Sequence, residues 1–279
     1  MAPVRPLKRR PRPARRWAGT LVAIVLLALM LSPVYGMVSA SVQPAGRSQP
    51  GSWLLSDADP GGYVTALHDQ GGALVTSLVV SLGTAALSLA LSAPAAYALT
   101  LSPVPGAGPF LFAVLFLQAV PGISVANALH GFYADTGLLD SYLGLILADS
   151  TAGVPFAILV LRTAMGAVPR ELVEAARLDG AGHRRVFLSL MLPLSMNALV
   201  TAGVFAFLFA WGDTLFALTL TTGDAVRPVT VSLFDYLGAH STRWNATMAT
   251  AVLASLPAAV LVVVAQRHIT TGPACGATH

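Results

Sequence analysis

The sequence predicts an all-α, polytopic membrane protein with six transmembrane helices. Composition comes first. Hydrophobic residues make up 55% of the 279 residues and charged residues only 10%, where an ordinary soluble domain carries about a quarter charged. Mean hydropathy is +0.72. Patterning comes second: the apolar residues gather in runs near the ~20 residues that a bilayer demands.

Six such runs can be placed. They fall at 17–38, at 73–101 with a kink expected at Pro94, at 109–129 with a break near Pro121-Gly122, and at 143–161, where Asp149, Ser150 and Thr151 interrupt the apolar character. The last two fall at 193–220 and 246–265. The chain then divides into a basic tail (1–16), a first span (17–38), an outer loop (39–72), a core of five spans (73–266) and a C-terminal tail (267–279). The first span has a rival reading as a cleaved signal peptide, since a basic start precedes it and Val38-Ser39-Ala40 follows it. Its length and the five further spans favour a retained helix.

Charge sets the orientation. Cytoplasmic loops of membrane proteins are enriched in Lys and Arg. With the N-terminus placed in the cytoplasm, the inner segments hold thirteen of the sixteen Lys+Arg, seven of them before Trp17, and the C-terminus is also cytoplasmic. The outer loops keep only Arg47, Arg227 and Arg243. Basic residues packed in a tail beside an apolar run are a topology signal and do not suggest nucleic acid. Cys275, the single cysteine, cannot close a disulfide within the chain. The six histidines are scattered and show no metal-ligand spacing, so no metal is expected.

The largest concentration of charge outside the tail is Pro169–Gly182, reading PRELVEAARLDGAG, inside the inner loop 165–192. It predicts a short helix. Pro169 suits a first helical position. Glu171 and Glu174 complement the dipole at the start, and Ala175, Ala176, Arg177 and Leu178 favour helix. Asp179-Gly180 stops it. Leu172, Ala175 and Ala176 share a small apolar face. A second amphipathic piece, 183–193, leads into the fifth span. Physical pattern alone leaves two uses open: a solvated helix on the membrane surface, or a docking knob for a soluble partner.

The motifs themselves add a resemblance. Glu174-Ala175-Ala176, Asp179-Gly180-Ala181 and Leu192-Pro193-Leu194 resemble the EAA loop of ABC-importer permeases. The sequences at 76–99, 209–218 and 227–236, and the tail from Gln266, resemble the carbohydrate-import, maltose-type branch. The chain departs from that pattern at Gly212, where the branch commonly has Asn, and at Ser195-Met196-Asn197. The resemblance implies a type I importer permease in a bacterial inner membrane, and no catalysis by this chain. It implies an ABC ATPase dimer, a second and different permease, and an extracytoplasmic solute-binding protein as partners. Glu171, Glu174, Ala175, Ala176, Arg177, Asp179 and Gly180 would dock the ATPase. Glu174 and Arg177 would make polar contacts, and Gly180 would set the angle of the loop.

The chain lacks G-x-x-x-x-G-K-[ST], and its only lysine is Lys8. It therefore has no phosphate loop of its own, and ATP and Mg are expected in the ATPase subunit. Polar residues inside spans are the candidates for a solute path. Asp213 with Trp211 leads, as an acid for sugar hydroxyls beside an aromatic face for a sugar ring. The competing reading has Asp213 hydrogen-bonded to a neighbouring helix. Asp149 is a weaker candidate that would be wet at the outer end of its span, and Asn197 reads as a helix contact. A peptide, amino-acid or phosphonate permease is the nearest alternative. A self-sufficient secondary transporter is weakened by the lack of an internal repeat. A membrane enzyme is weakened by the lack of a cluster of acids, His or Ser.

Overall fold

The architecture is read from a computed structural model that describes residues 13–44, 58–101, 105–223, 225–238 and 243–269. The N-terminal tail to residue 12, most of the Pro- and Gly-rich outer segment and the tail after Ile269 lie outside them. Among the described residues every regular element is helical. Four helices are long and apolar enough to cross a bilayer: α1 (Pro13–Ser41), α2 (Gly61–Leu101), α5 (Tyr142–Gly166) and α12 (Trp244–Ile269). Two bent pairs bring the total to as many as six, the number expected from the sequence, if each pair is one span. One joins α3 (Ala107–Leu117) to α4 (Gly122–Thr136) at 94°. The other joins the segment His183–Leu194 to α9 (Met196–Gly212) at 78°.

Several boundaries differ from the expectation, each for a local reason. The helix expected at 73 begins at Gly61, so part of the predicted outer loop is helical. Gly71-Gly72 weakens a helix by about 1 kcal/mol per glycine relative to Ala, but the stretch is anchored from outside. Asp59 Oδ1 accepts from Gly61 N at 2.8 Å, and the Tyr63 hydroxyl pairs with Ser41 Oγ at 2.8 Å. The fourth span is uninterrupted. The Ser150 and Thr151 hydroxyls donate to Ile146 O and Ala148 O within the helix, which is how a membrane helix carries them. The fifth span ends earlier than expected, because α9 stops at Gly212 and a separate helix α10 (Leu215–Leu220) follows.

The centre of the bundle is α2, α5 and α9, which pack on one another; α12 covers α2 and α9, and α1 lies on α12. A stripe of small residues explains the close approach. Ser77, Ser81, Thr84, Ser88, Ser92 and Ala96 recur at helical spacing along α2, and all are buried. Small side chains let membrane helices touch and donate across the seam. Ser92 Oγ donates to Val154 O of α5 at 3.0 Å. By contrast the outward faces of α1 and α12 are rows of exposed Leu, Val and Met, suited to lipid.

Buried side chains collect at both ends of the bundle. One cluster joins Val80, Ala126, Tyr133, Leu145, Ala148, Phe216, Leu220 and Val226. The other joins Ala93, Ala96, Leu161, Met165, Val173, Val186 and Met191. A polar clasp closes the first. Asp140, at φ 53 between α4 and α5, accepts from Thr222 N, Thr222 Oγ1 and Gly223 N at 2.7, 2.7 and 2.8 Å. These donors, Gly223 N–H first and then the Thr222 hydroxyl, hold its carboxyl below the usual carboxylate range, against a smaller effect of burial. A depressed folded pKa stabilises fully above the unfolded value of about 3.9, and that stabilisation is lost as pH falls through the folded value. Native chain is therefore expected to resist proteolysis near Thr222 from pH 7 to 5 and to open below about pH 4. Asp140→Asn keeps the backbone conformation and loses the charge, so it should be nicked there several-fold faster already at pH 7. Equal cleavage of both chains at pH 7 would refute the clasp.

Candidate functional site

The charged stretch is helix α6 (Arg170–Leu178), as expected. Pro169 stands one residue outside it, at the N-cap with φ −55 and ψ 131, and not at the first helical position. The end is a Schellman turn: Ala181 N donates to Ala176 O at 2.9 Å and Gly180 N to Arg177 O at 3.0 Å. Gly180 sits at φ +81, the left-handed region glycine adopts without strain.

How α6 sits differs from the face drawn from the sequence. Val173 is the buried anchor, and half-buried Ala176 packs beside it onto the second core cluster with Leu161, Met165 and Met191. Ala176, expected in the docking set, thus also helps to seat the helix on the bundle. Glu171, Leu172, Glu174, Ala175, Arg177, Leu178, Asp179 and Gly180 are all exposed. Leu178 is 89% exposed and Leu172 46%. Leu178, at the tip of a helix fastened to the bundle, is the most exposed large apolar side chain among the described residues. Sequence reasoning counted Leu178 only as a helix former. The available signal was an apolar residue closing an otherwise charged helix.

Beyond Gly182 the chain runs through α7 (His183–Val186), a π-helical turn (Phe187–Met191) and α8 (Leu192–Leu194) into α9. Such wide turns are rare and occur often at functional sites. Val186 and Met191 are buried in the same cluster as Val173. The Tyr97 hydroxyl of α2 donates to His183 O at 3.2 Å, and its ring packs at 5.1 Å from Phe187. The loop is therefore fused to α2 and α5, so a push on α6 reaches the core spans.

The expected path residues are not together on an open surface. Trp211 is buried; its Nε1 donates to Ala254 O of α12 at 2.9 Å and its ring stacks on Phe207 at 5.6 Å. In this conformation it braces α9 against α12 and offers no free face to a sugar. Asp213 Oδ2 accepts from Phe216 N and Ala217 N at 2.9 and 3.2 Å, capping α10. Asp149 is 2% exposed, so it is buried and not at a wet helix end. Asn197 is exposed near the start of α9. Aromatic surface lies elsewhere: Phe156 of α5 stacks on Phe205 of α9 at 3.7 Å, and Phe209 follows at 6.4 Å. Among the described residues no group of three or more His, Cys, Asp and Glu could hold a metal.

A loop helix locked to a six-span bundle is the geometry on which comparison with known proteins bears. The family model described as binding-protein-dependent transport system inner membrane component matches residues 88–272. The chain belongs to this family. It is a multi-pass permease component of the inner membrane, not a catalytic subunit. It is similar to the osmoprotective compounds uptake permease protein GgtD of Synechocystis sp., at 31% identity over 91% of this chain and 90% of that one. It is also similar to the trehalose transport system permease protein SugB of Mycobacterium tuberculosis, at 31% identity over 95% and 98%. The fold matches a bacterial ABC transporter involved in import of the acidic polysaccharide alginate, with TM-score 0.78 and 22% identity, covering 94% of this chain and 100% of that one.

Proposed function

We propose that this permease imports a sugar or oligosaccharide, delivered by an extracytoplasmic binding protein and driven by a separate ATPase dimer docked on α6. The exposed, rigidly mounted helix ending in Leu178 carries the reading. The family description names a binding protein, and the trehalose permease is similar along nearly its whole length. The chain has no phosphate loop, so ATP and Mg2+ belong to the partner and this chain needs no cofactor. A second, different permease completes the pore, lipid surrounds it, and nucleic acid has no part. Both termini and α6 then face the cytoplasm, the orientation that the distribution of Lys and Arg favours. Closure of the ATPases moves two such loops together and switches the spans between outward- and inward-open states, a rigid-body device. Along the path, Phe205 and Phe209 are better stacking surfaces for sugar than Trp211.

Gly180 tests the angle of the docking loop. A Cβ there meets nothing within 4 Å, so only backbone strain opposes a substitution. Gly180→Ala is expected to cost about 1 kcal/mol of loop geometry and to slow uptake several-fold, whereas Gly180→Asn, tolerant of positive φ, retains most of it.

The whole reading is tested in proteoliposomes holding both permeases and the ATPase, with binding protein added outside and a panel of labelled di- and trisaccharides. Uptake that needs ATP, binding protein and one of these sugars supports it. Uptake by this chain alone, without ATP, refutes it.

A further inference from the structure

Asp149 presents an unusual balance of charge. It lies within membrane-spanning α5, 2% exposed, and its Oδ1 has no hydrogen-bond partner among the described residues. It lines a cavity of about 10 Å³ with Ser77, Val80, Leu145, Ala210, Asp213, Ala217 and Pro228. That is room for one water-sized species. No Lys, Arg or His is among these residues. Two carboxyl groups therefore face one small space in a low-dielectric bundle with no basic side chain lining it, an arrangement that is costly unless a proton, another positive charge or a donor neutralises it.

The polar atoms around the cavity are otherwise occupied in a consistent way. Asp213 Oδ2 is taken by the α10 backbone. Ser77 Oγ accepts from Val229 N at 2.8 Å, and that residue opens helix α11 (Val229–Gly238). Thr230 Oγ1 donates to Asp213 O at 2.7 Å. Four parts of the chain thus meet here: α2, α5, the α9–α10 elbow and the start of α11. From α4, the Tyr133 hydroxyl is spent on Gly144 O at 3.1 Å. Arg227 precedes the lining Pro228 but does not line the cavity.

We propose that this cavity holds one small monovalent cation between Asp149 and Asp213, either a proton shared by the two carboxyl groups through one water or an alkali ion, and so fastens α5 to the α9–α10 elbow. The site is independent of the sugar and of the ATPase, so its test does not depend on transport.

The test is thermal unfolding of the purified full-length chain in nanodiscs, with sodium chloride exchanged for choline chloride at fixed ionic strength, at pH 5 to 8. Native chain and the near-isosteric Asp149→Asn are compared. An alkali ion raises the native midpoint with sodium at pH 8. A proton raises it as pH falls without sodium. Either shift is expected at about 2–4 °C for a chain of this size, and Asp149→Asn should lose it. Native and variant midpoints that run parallel through every condition would overturn the site and leave a neutral water in its place. Should Asp149→Asn fail to fold, Asp149→Ser, which leaves room for an extra water, takes its place. Infrared difference spectra of the native chain between the same conditions then give a second reading. A carboxyl band that responds to neither pH nor sodium also overturns the site.

Discussion

Replacing Leu178 with aspartate is expected to separate this permease from its ATPase while leaving the permease folded. At 89% exposure the side chain contributes almost nothing to the chain's own packing, and surface changes of this kind stay within about 0.5 kcal/mol. In the proposed assembly the same side chain would enter a cleft of the ATPase. Burying a leucine there is worth about 1.5–3 kcal/mol, and a carboxylate in its place adds the cost of desolvating a charge. The ATPase should bind roughly 10- to 100-fold more weakly, and ATP-driven uptake should fall at least as far. Val173→Asp makes the contrast. It buries a charge in the cluster that seats α6, so it should lower the unfolding temperature of the permease itself. The decisive measurement is co-purification of the ATPase beside the thermal midpoint of the permease. Undiminished association with Leu178→Asp would remove α6 as the docking element.

The sequence conveyed much of this through quantities that survive without coordinates. Span number follows from hydropathy, because the bilayer leaves the backbone few alternatives. Helix α6 and its Gly180 terminator follow from local propensity and from a turn that only certain residues make. What could not be read was direction. Periodicity put Leu172, Ala175 and Ala176 on one apolar face, yet Val173 is the anchor, because the core that receives it is built from α2, α5 and the π-turn, far away in sequence. Trp211 and Asp213, expected on the path, show the same gap. Both are polar or aromatic groups inside a span, but a hydrogen bond to α12 uses one and a cap on α10 uses the other. An intramembrane polar group announces that it has a partner and leaves open whether the partner is solute or helix. Asp149, ranked behind both, is the residue whose oxygen finds no partner within the described chain.

Gly153 is expected to be one of the bundle's least tolerant positions. This glycine of α5 lies where α2 and α9 both reach α5. An added Cβ would collide with Ser88 Oγ and stand 3.3 Å from both Ser88 Cβ and Ala206 Cβ. The neighbours are short and fully buried, so neither has a long side chain to swing aside. Gly153→Leu must push the helices apart, and overpacking of this kind costs about 3 kcal/mol or more. It should leave little folded permease after mild heating and no uptake. Gly153→Ala is the informative variant, because only the Ser88 hydroxyl stands in close collision. Ser88 Oγ has no hydrogen-bond partner within the described residues, so Ser88→Ala alone should be close to neutral. The double variant Gly153→Ala with Ser88→Ala should recover most of the midpoint lost by Gly153→Ala, a coupling of about 1 kcal/mol between touching sites. Additive midpoints, with no recovery in the double variant, would mean that α2 and α5 do not meet at this seam. The small-residue stripe would then not be what holds the core of the permease together.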